Sequence, residues 1–589
     1  MTKFRHQPTD ANSDYPHNMA STQQLPAPAS EKGHDADSTQ KEAHTAQQPA
    51  STESDSGTES EDATQYVQGF RLVCLIVGLI LAVFCLGLDR TILATAVPKI
   101  TNEFNSLEDV AWYGSSFALT TCCFQLIFGK LFAEFKTLWV YLAALGIFEV
   151  GSIVCAAAPN SVALIIGRAV TGVGCAGVLA GTFIIIAQSF PLQKRPVYTG
   201  IIGGIAGIAE IIAPALGGAF TDSIGWRWCF WINLPLGAVT AVVVFFVVQS
   251  PDKPKAAEST TLVQILGKMD PLGTALLMPY MICLLLALQW GGTTYAWSNW
   301  RIILCFCLFA VMFLAWVWVQ HSRGDAATLP LRLIRQRSVG CATFFMLGLN
   351  GVIFLVVYYV SIWFHAVKDV SAQQSGIDFL ASSASISVAS LLSGIMVTKI
   401  GYYVPQMLLS TALVSAAVGM MYAYDLGTST VYWAASLVMF GFGSGMGMQM
   451  PLTAVQTVLK GTDIALGTSV LLLAQSLSGA IFLSVGQNLF ATKLLEELKS
   501  RAPGVDATVV VNNGASGLKA LVTEKYGEEA ATAVLQAYNI ALRQCFLVCV
   551  ILSCLTILSG LGTEWKSVKG DQQQKDSTDA EKGADEKTG

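Results

Sequence analysis

The stretch "GGIAGIAEIIAPALGGAF" (residues 203–220) is apolar throughout except for one carboxylate, Glu210, at its centre. An ionised side chain near the middle of a bilayer costs at least about 2.5 kcal/mol, so an acid in such a place belongs in a protein-lined cavity or is kept protonated. That reading requires lipid around the stretch, and the composition agrees. The protein has 589 residues, 53% hydrophobic and 13% charged, with a mean hydropathy of +0.53. Soluble domains carry about 25% charged residues. The lipid bilayer is therefore the first partner of this chain, and no nucleic-acid partner is expected.

Apolar runs of about 20 residues, long enough to cross about 30 Å of hydrocarbon, lie near 70–97, 110–131, 137–158, 161–189, 198–220, 228–249 and 271–290. Seven more lie near 300–320, 340–364, 376–399, 403–424, 430–453, 465–490 and 541–562. The polar residues 1–66 and 566–589 are expected as disordered tails. With no cleavable signal ahead of it, the first apolar run serves as the insertion signal. An even number of spans puts both tails on one side. Lys and Arg gather in the short loops of that side, among them Lys130, Lys136, Lys194, Arg195, Arg332 and Arg335, against Lys99, Arg227, Arg301 and Lys368 opposite. Both tails are thus expected in the cytoplasm. Residues 491–540 form a long outer loop whose helical periodicity predicts a partly helical cap.

The 14 cysteines fall in or beside apolar runs and include no paired CxxC motifs, and four of the six histidines lie in the N-terminal tail. No metal site or disulfide framework is expected. No GxxxxGK[ST] loop is present, so neither a nucleotide nor another cofactor is called for, and the chain is not expected to be an enzyme.

"GKLFAEFKTLW" (129–139) and "SGIMVTKIGYYVP" (393–405) are both small-residue exits followed by a short basic turn. They correspond if spans 9–14 repeat spans 1–6. Repeats of six helices around a central cavity are the plan of major facilitator transporters. The resemblance to that superfamily covers about residues 70 to 565 and rests on several motifs in order: "LDRTILATAVP" (88–98), "GRAVTGVGCAG" (167–177), "APALGGAFTDSIGWRWCFWINLPLG" (213–237), "ALQWGGTTYAW" (287–297) and "YYVSIWFHAVKDVSAQQSGI" (358–377). Within it the chain resembles the fourteen-spanner drug:proton antiporters, and among these the fungal toxin and multidrug efflux pumps.

The resemblance implies an all-α membrane protein of the major facilitator fold, two six-helix bundles plus two inserted transmembrane helices. Residues 67–250 make the first bundle, 251–338 the inserted pair with its linkers, and 339–565 the second bundle. It also implies an antiporter motif in span 5, here Gly203, Gly207, Glu210, Pro214, Gly217 and Gly218, and a gating loop after span 2. The loop departs from the family pattern at Ala133 and Lys136, so only Gly129 and Lys130 are carried over. Ala213 stands where the family has glycine, and Glu210 where it has a small or polar residue.

The ionisable residues left inside spans are Asp89, Arg90, Glu149, Arg168 and Glu210. At about 1.5 Å per residue, Asp89 in span 1 and Arg168 in span 4 lie at similar depth, about 11 Å from the outer boundary. They read as a proton-coupling pair or as a permanent structural ion pair. Arg90, turned about 100° from Asp89, is expected to snorkel or to meet another helix.

Glu210 shares its helix face with Gly203, Gly207, Pro214 and Gly217, a face open to close packing. Gly177 and Gly181 of span 4 offer a mating surface. Glu210 itself reads as a substrate- or proton-binding group or as a protonated interior acid. Substrate-cavity candidates are Glu149, Trp290, Asn350, Tyr358, Tyr359, Gln449, Gln456 and Gln475.

The expected function is proton-coupled efflux of a small organic toxin, secondary metabolite or drug by alternating access, with protons and the substrate as partners. The protein is expected to be a monomer in the plasma membrane, the vacuolar membrane being the alternative. Import of a chelate or nutrient, or a non-transporting receptor, are the other readings.

Overall fold

A computed structural model describes residues 68–248, 270–292, 294–506, 510 and 517–570. The expected tail at 1–66, the linker at 251–269, and residues 571–589 of the tail expected at 566–589 lie outside the described residues. Residues 566–570 are not a loose tail, for Val568 is buried and its amide donates to the Gly401 carbonyl at 2.8 Å. Among the described residues, fourteen helices are long and apolar enough to cross a membrane. Spans 1–7 are Phe70–Thr91, Val110–Glu134, Thr137–Ala156, Ser161–Ser189, Arg195–Ser223, Trp228–Val247 and Pro271–Trp290. Spans 8–14 are Trp300–Ala326, Arg337–Ala366, Gln374–Ile400, Val404–Tyr422, Thr430–Val458, Asp463–Arg501 and Glu528–Gly562.

Local chemistry sets where several of these helices begin and end. Side chains of Asn160, Asn299, Ser371 and Ser429 accept hydrogen bonds from the first-turn amides of spans 4, 8, 10 and 12, satisfying donors that the helix leaves free. Span 10 stops at Gly401, whose φ of 91° is a left-handed conformation that glycine adopts without a Cβ clash. Span 1 gives way at Ile92 to a second helix, Leu93–Phe104, so the apolar run expected at 70–97 is two helices.

The first six spans pack largely on one another, and so do the last six. Between the two sets, the principal contacts are span 5 with span 10 and span 2 with span 13. If spans 9–14 repeat spans 1–6, then span 10 is the counterpart of span 2 and span 13 of span 5. The two contacts are then one interface made twice. They lie toward the end of the molecule where the chain enters span 1 and leaves span 14, here called the tail face. Thr398 donates to the Gln193 carbonyl there at 3.1 Å, and Ser390 to that of Gly200 at 3.2 Å. Toward the other end of spans 5 and 10, Ile212, Ile377 and Leu380 are exposed.

Spans 7 and 8 form a hairpin outside both sets, with a small core of their own against span 2. Its tail-face end is latched by Asp270, fully buried before span 7. The Asp270 carboxylate accepts from the Gly273 amide, from Gln320 Nε2 and from the Thr328 amide, each at 3.0 Å, and from the Thr328 hydroxyl at 3.1 Å.

The segment expected as an outer loop at 491–540 is mostly helix. Span 13 runs on to Arg501, the last helix starts at Glu528, and a short helix Leu518–Tyr526 lies between. Buried Leu494, Leu498, Val522 and Val534 join these extensions into the core of the second bundle, which is why they continue beyond hydrocarbon.

A buried ion pair beside a central cavity

Helix rise places Asp89 and Arg168 at one depth, and the structure brings them into contact. Arg168 Nη1 lies 2.5 Å from Asp89 Oδ2, and both residues are buried. The surroundings complete the valences of the pair. Arg168 Nε donates to the Tyr113 carbonyl at 3.1 Å, and its guanidinium carbon lies 4.5 Å from the Phe117 ring centroid. Asn233 Nδ2 donates to Asp89 Oδ1 at 3.4 Å and to Ser152 Oγ at 3.2 Å. A buried pair holds only when its remaining lone pairs and protons are met in this way. Asn233 and Ser152 were not singled out from the sequence. Both are uncharged polar residues in apolar spans, and nothing in their spacing sets them apart from the other hydroxyls and amides there.

A cavity of about 70 Å³ lies between the two sets of spans. Arg90 and Glu210 both line it, with Gly203, Met346, Gln449 and Gln475. Arg90 therefore does not snorkel. It turns toward the centre of the molecule, so the cavity carries a guanidinium from span 1, a carboxyl group from span 5, and amides from spans 12 and 13.

The glycine face of span 5 packs against span 10 and span 12, not span 4. A Cβ built on Gly200 would lie 2.6 Å from the Ser390 carbonyl oxygen, and on Gly207 2.6 Å from Ser387 Oγ, while one on Gly203 would collide with Gln449. Gly217 sits against Ile92 and Thr95, whereas Gly218 has open space. Gly177 and Gly181 receive side chains of spans 2 and 3 instead, those of Phe128 and Phe132 among them. On the partner interface, a Cβ on Gly129 would strike Ser469 of span 13. The neighbouring Lys130 is buried and pairs with Glu134 at 3.5 Å. Gly394 of span 10 takes the same role against Pro196, a position the sequence reading did not name.

The other cavity candidates are placed differently. Gln475 donates to Asn350 Oδ1 at 3.2 Å, next to the cavity. Gln456 donates to the Phe183 carbonyl at 3.3 Å, tying span 12 to span 4. Glu149 lies against Gly237 of span 6, and both its carboxylate oxygens are buried without a hydrogen-bond partner. Trp290 meets Trp112 edge-on, Tyr359 is buried against Phe490, and Tyr358 is exposed. Of these seven, Gln475 lines the central cavity, and the other six do not.

Paired six-helix sets meeting around a charged cavity define a membrane transporter rather than an enzyme, and comparison with known proteins is specific. The Major Facilitator Superfamily profile matches residues 79–483. "MFS-type efflux pump MFS1" of Trichophyton rubrum is 47% identical over 521 residues, 88% of this chain and 96% of that protein. "Efflux pump aflT" of Aspergillus parasiticus is 45% identical, covering 87% of this chain and 99% of that one. Among solved structures, the proton:xylose symporter XylE superposes with a TM-score of 0.53 at 12% identity, over 85% of this chain and 98% of that one. The human organic anion transporter MFSD10 gives the same score at 13% identity, over 82% and 100%. The chain belongs to the major facilitator superfamily. It is a multi-pass membrane transporter of the efflux type.

Proposed function

We propose that this transporter exports a small organic toxin or secondary metabolite from the cytoplasm in exchange for protons, by alternating access of its two six-helix sets. The observation that carries the reading is the cavity between the sets, which bears Arg90 and Glu210 and is closed off toward the tail face by the glycine-lined contacts of spans 5 and 10. Contacts through glycine, without interlocking side chains, can part and re-form at low cost, as alternating access requires. The excess of Lys and Arg in tail-face loops supports a cytoplasmic tail face. The names of the relatives support efflux as the direction.

Asp89 is the proton-carrying group, and it exchanges its proton when its pairing with Arg168 is disturbed. Arg90 supplies the disturbance, because it follows Asp89 in the same helix and reaches the cavity where substrate binds. Glu210 then attracts cationic substrate groups, and the amides of Gln449 and Gln475 serve neutral ones.

The test uses purified protein in liposomes with an imposed pH gradient and a fluorescent efflux substrate. Gradient-driven movement is expected for the wild type and its loss for Asp89→Asn. Full gradient-driven transport by Asp89→Asn would remove Asp89 from the proton path.

A further inference from the structure

A second cavity, of about 350 Å³, lies where spans 2, 7, 9 and 13 come together. Small-molecule sites generally occupy about 300–1,000 Å³, so this chamber is large enough for a drug-sized molecule as it stands, whereas the 70 Å³ central cavity has to widen to admit one. The two are strung along the same helices. On span 13 the residues up to Gln475 line the central cavity, and those from Ser476 to Gln487 line the chamber. On span 9 Met346 faces the first and Phe354 the second. The hydrogen-bonded amides of Gln475 and Asn350 stand between them. Twelve residues of helix from Gln475 to Gln487 are about 18 Å of rise, directed away from the tail face.

The inserted hairpin makes this chamber. Span 7 touches span 2 of the first set and span 13 of the second. Ser484 donates to the Leu288 carbonyl at 3.0 Å, and Trp290 packs edge-on against Trp112. Without span 7 the chamber would lack the wall formed by Leu285, Leu288 and Gln289. The lining also differs in kind from the central cavity: it has no charged side chain, but combines apolar surface from Leu119 and Phe354 with hydroxyls and amides. One of these, Ser115 Oγ, is buried without a hydrogen-bond partner, an unmet valence that a ligand can satisfy.

We propose that this chamber is a second binding site, for an uncharged amphipathic organic molecule, occupied between the central cavity and the face opposite the tails. The assignment to the export path rests on the efflux reading above; the site itself does not. Binding and transport can therefore be separated.

Nile red, uncharged and fluorescent, is titrated into the purified full-length protein in nanodiscs without any gradient, and a diazirine derivative of it is photo-crosslinked and mapped by peptide mass spectrometry. Labels are expected on peptides of spans 7 and 13. Ala480→Trp, which fills the chamber, is expected to weaken binding by about tenfold or more, and Asp222→Asn, at an exposed ion pair outside both cavities, to leave it unchanged. Ser115→Ala, a smaller change that preserves packing, is expected to weaken binding in the same direction. Labelling confined to other spans, or wild-type affinity in a folded Ala480→Trp protein, would overturn the site. Binding and labelling as expected, with no gradient-driven Nile red efflux by the wild type, would uphold the site and count against the export reading alone.

Discussion

Removing one partner of the Asp89–Arg168 pair leaves the other charge buried, at a cost of about 3–5 kcal/mol. Arg168→Ala is therefore expected to lose folded protein, measured by size-exclusion chromatography after detergent extraction. The double variant Asp89→Asn with Arg168→Gln strands no charge and is expected to recover the fold but not proton-driven transport. Recovery of both would make the pair purely structural. The depth of these residues was legible because helix rise is fixed. What Arg90 meets was not: the sequence gives its angle around span 1, but the helix on that side depends on how the two sets dock. Glu149 shows the same limit. Its apolar setting was plain, but only the fold shows that its face is taken by Gly237 of span 6 and not by the cavity.

At the scale of elements, the glycine spacing of span 5 announced a close approach, but the glycines of span 4 pointed to the wrong partner, since a side-chain-free surface carries no complementary signature. The docked partner is span 10, and the repeat supplies its counterpart at Gly129 and Ser469. A leucine at Gly200 or Gly394 is expected to hold spans 5 and 10 apart at the tail face. Cysteines at Gln193 and Thr398, in a background cleared of other reactive cysteines, should cross-link in the parent and not in Gly394→Leu. Unchanged cross-linking would show that this contact tolerates a side chain.

The helix that follows span 1 is fastened differently. Glu103 accepts from the Trp226 indole at 2.7 Å and from Arg227 Nη1 at 2.8 Å, tying Leu93–Phe104 to the turn before span 6. The Trp226 hydrogen bond, aided by Arg227, lowers the Glu103 carboxyl below its ordinary value of 4.5. A carboxyl lowered in the folded state stabilises above its unfolded value, and the contribution is lost as pH falls through the folded one. Glu103→Gln is thus expected to lower the melting temperature at neutral pH, with the difference from wild type vanishing in acid below that range. A difference that persisted there would implicate packing rather than charge.

For the whole molecule, fourteen spans and the six-two-six division followed from hydropathy and motif order because both are written residue by residue. How the inserted pair would sit was not, since its helices are apolar on nearly all sides. Asp270 shows one end of the answer, a buried carboxylate with four donors joining the hairpin's two helices. Asp270→Asn removes the charge those donors serve and is expected to cost roughly 2–3 kcal/mol. Thermal unfolding would register the loss, and Nile red binding should weaken with it if the hairpin walls the chamber. The placement of span 7 has a consequence for how such a protein can diversify. The charged and glycine-lined parts lie in the two six-helix sets, where an added Cβ on span 5 would strike span 10. The hairpin touches both sets from outside, so a substitution on span 7 would reshape the 350 Å³ chamber without entering either of those parts.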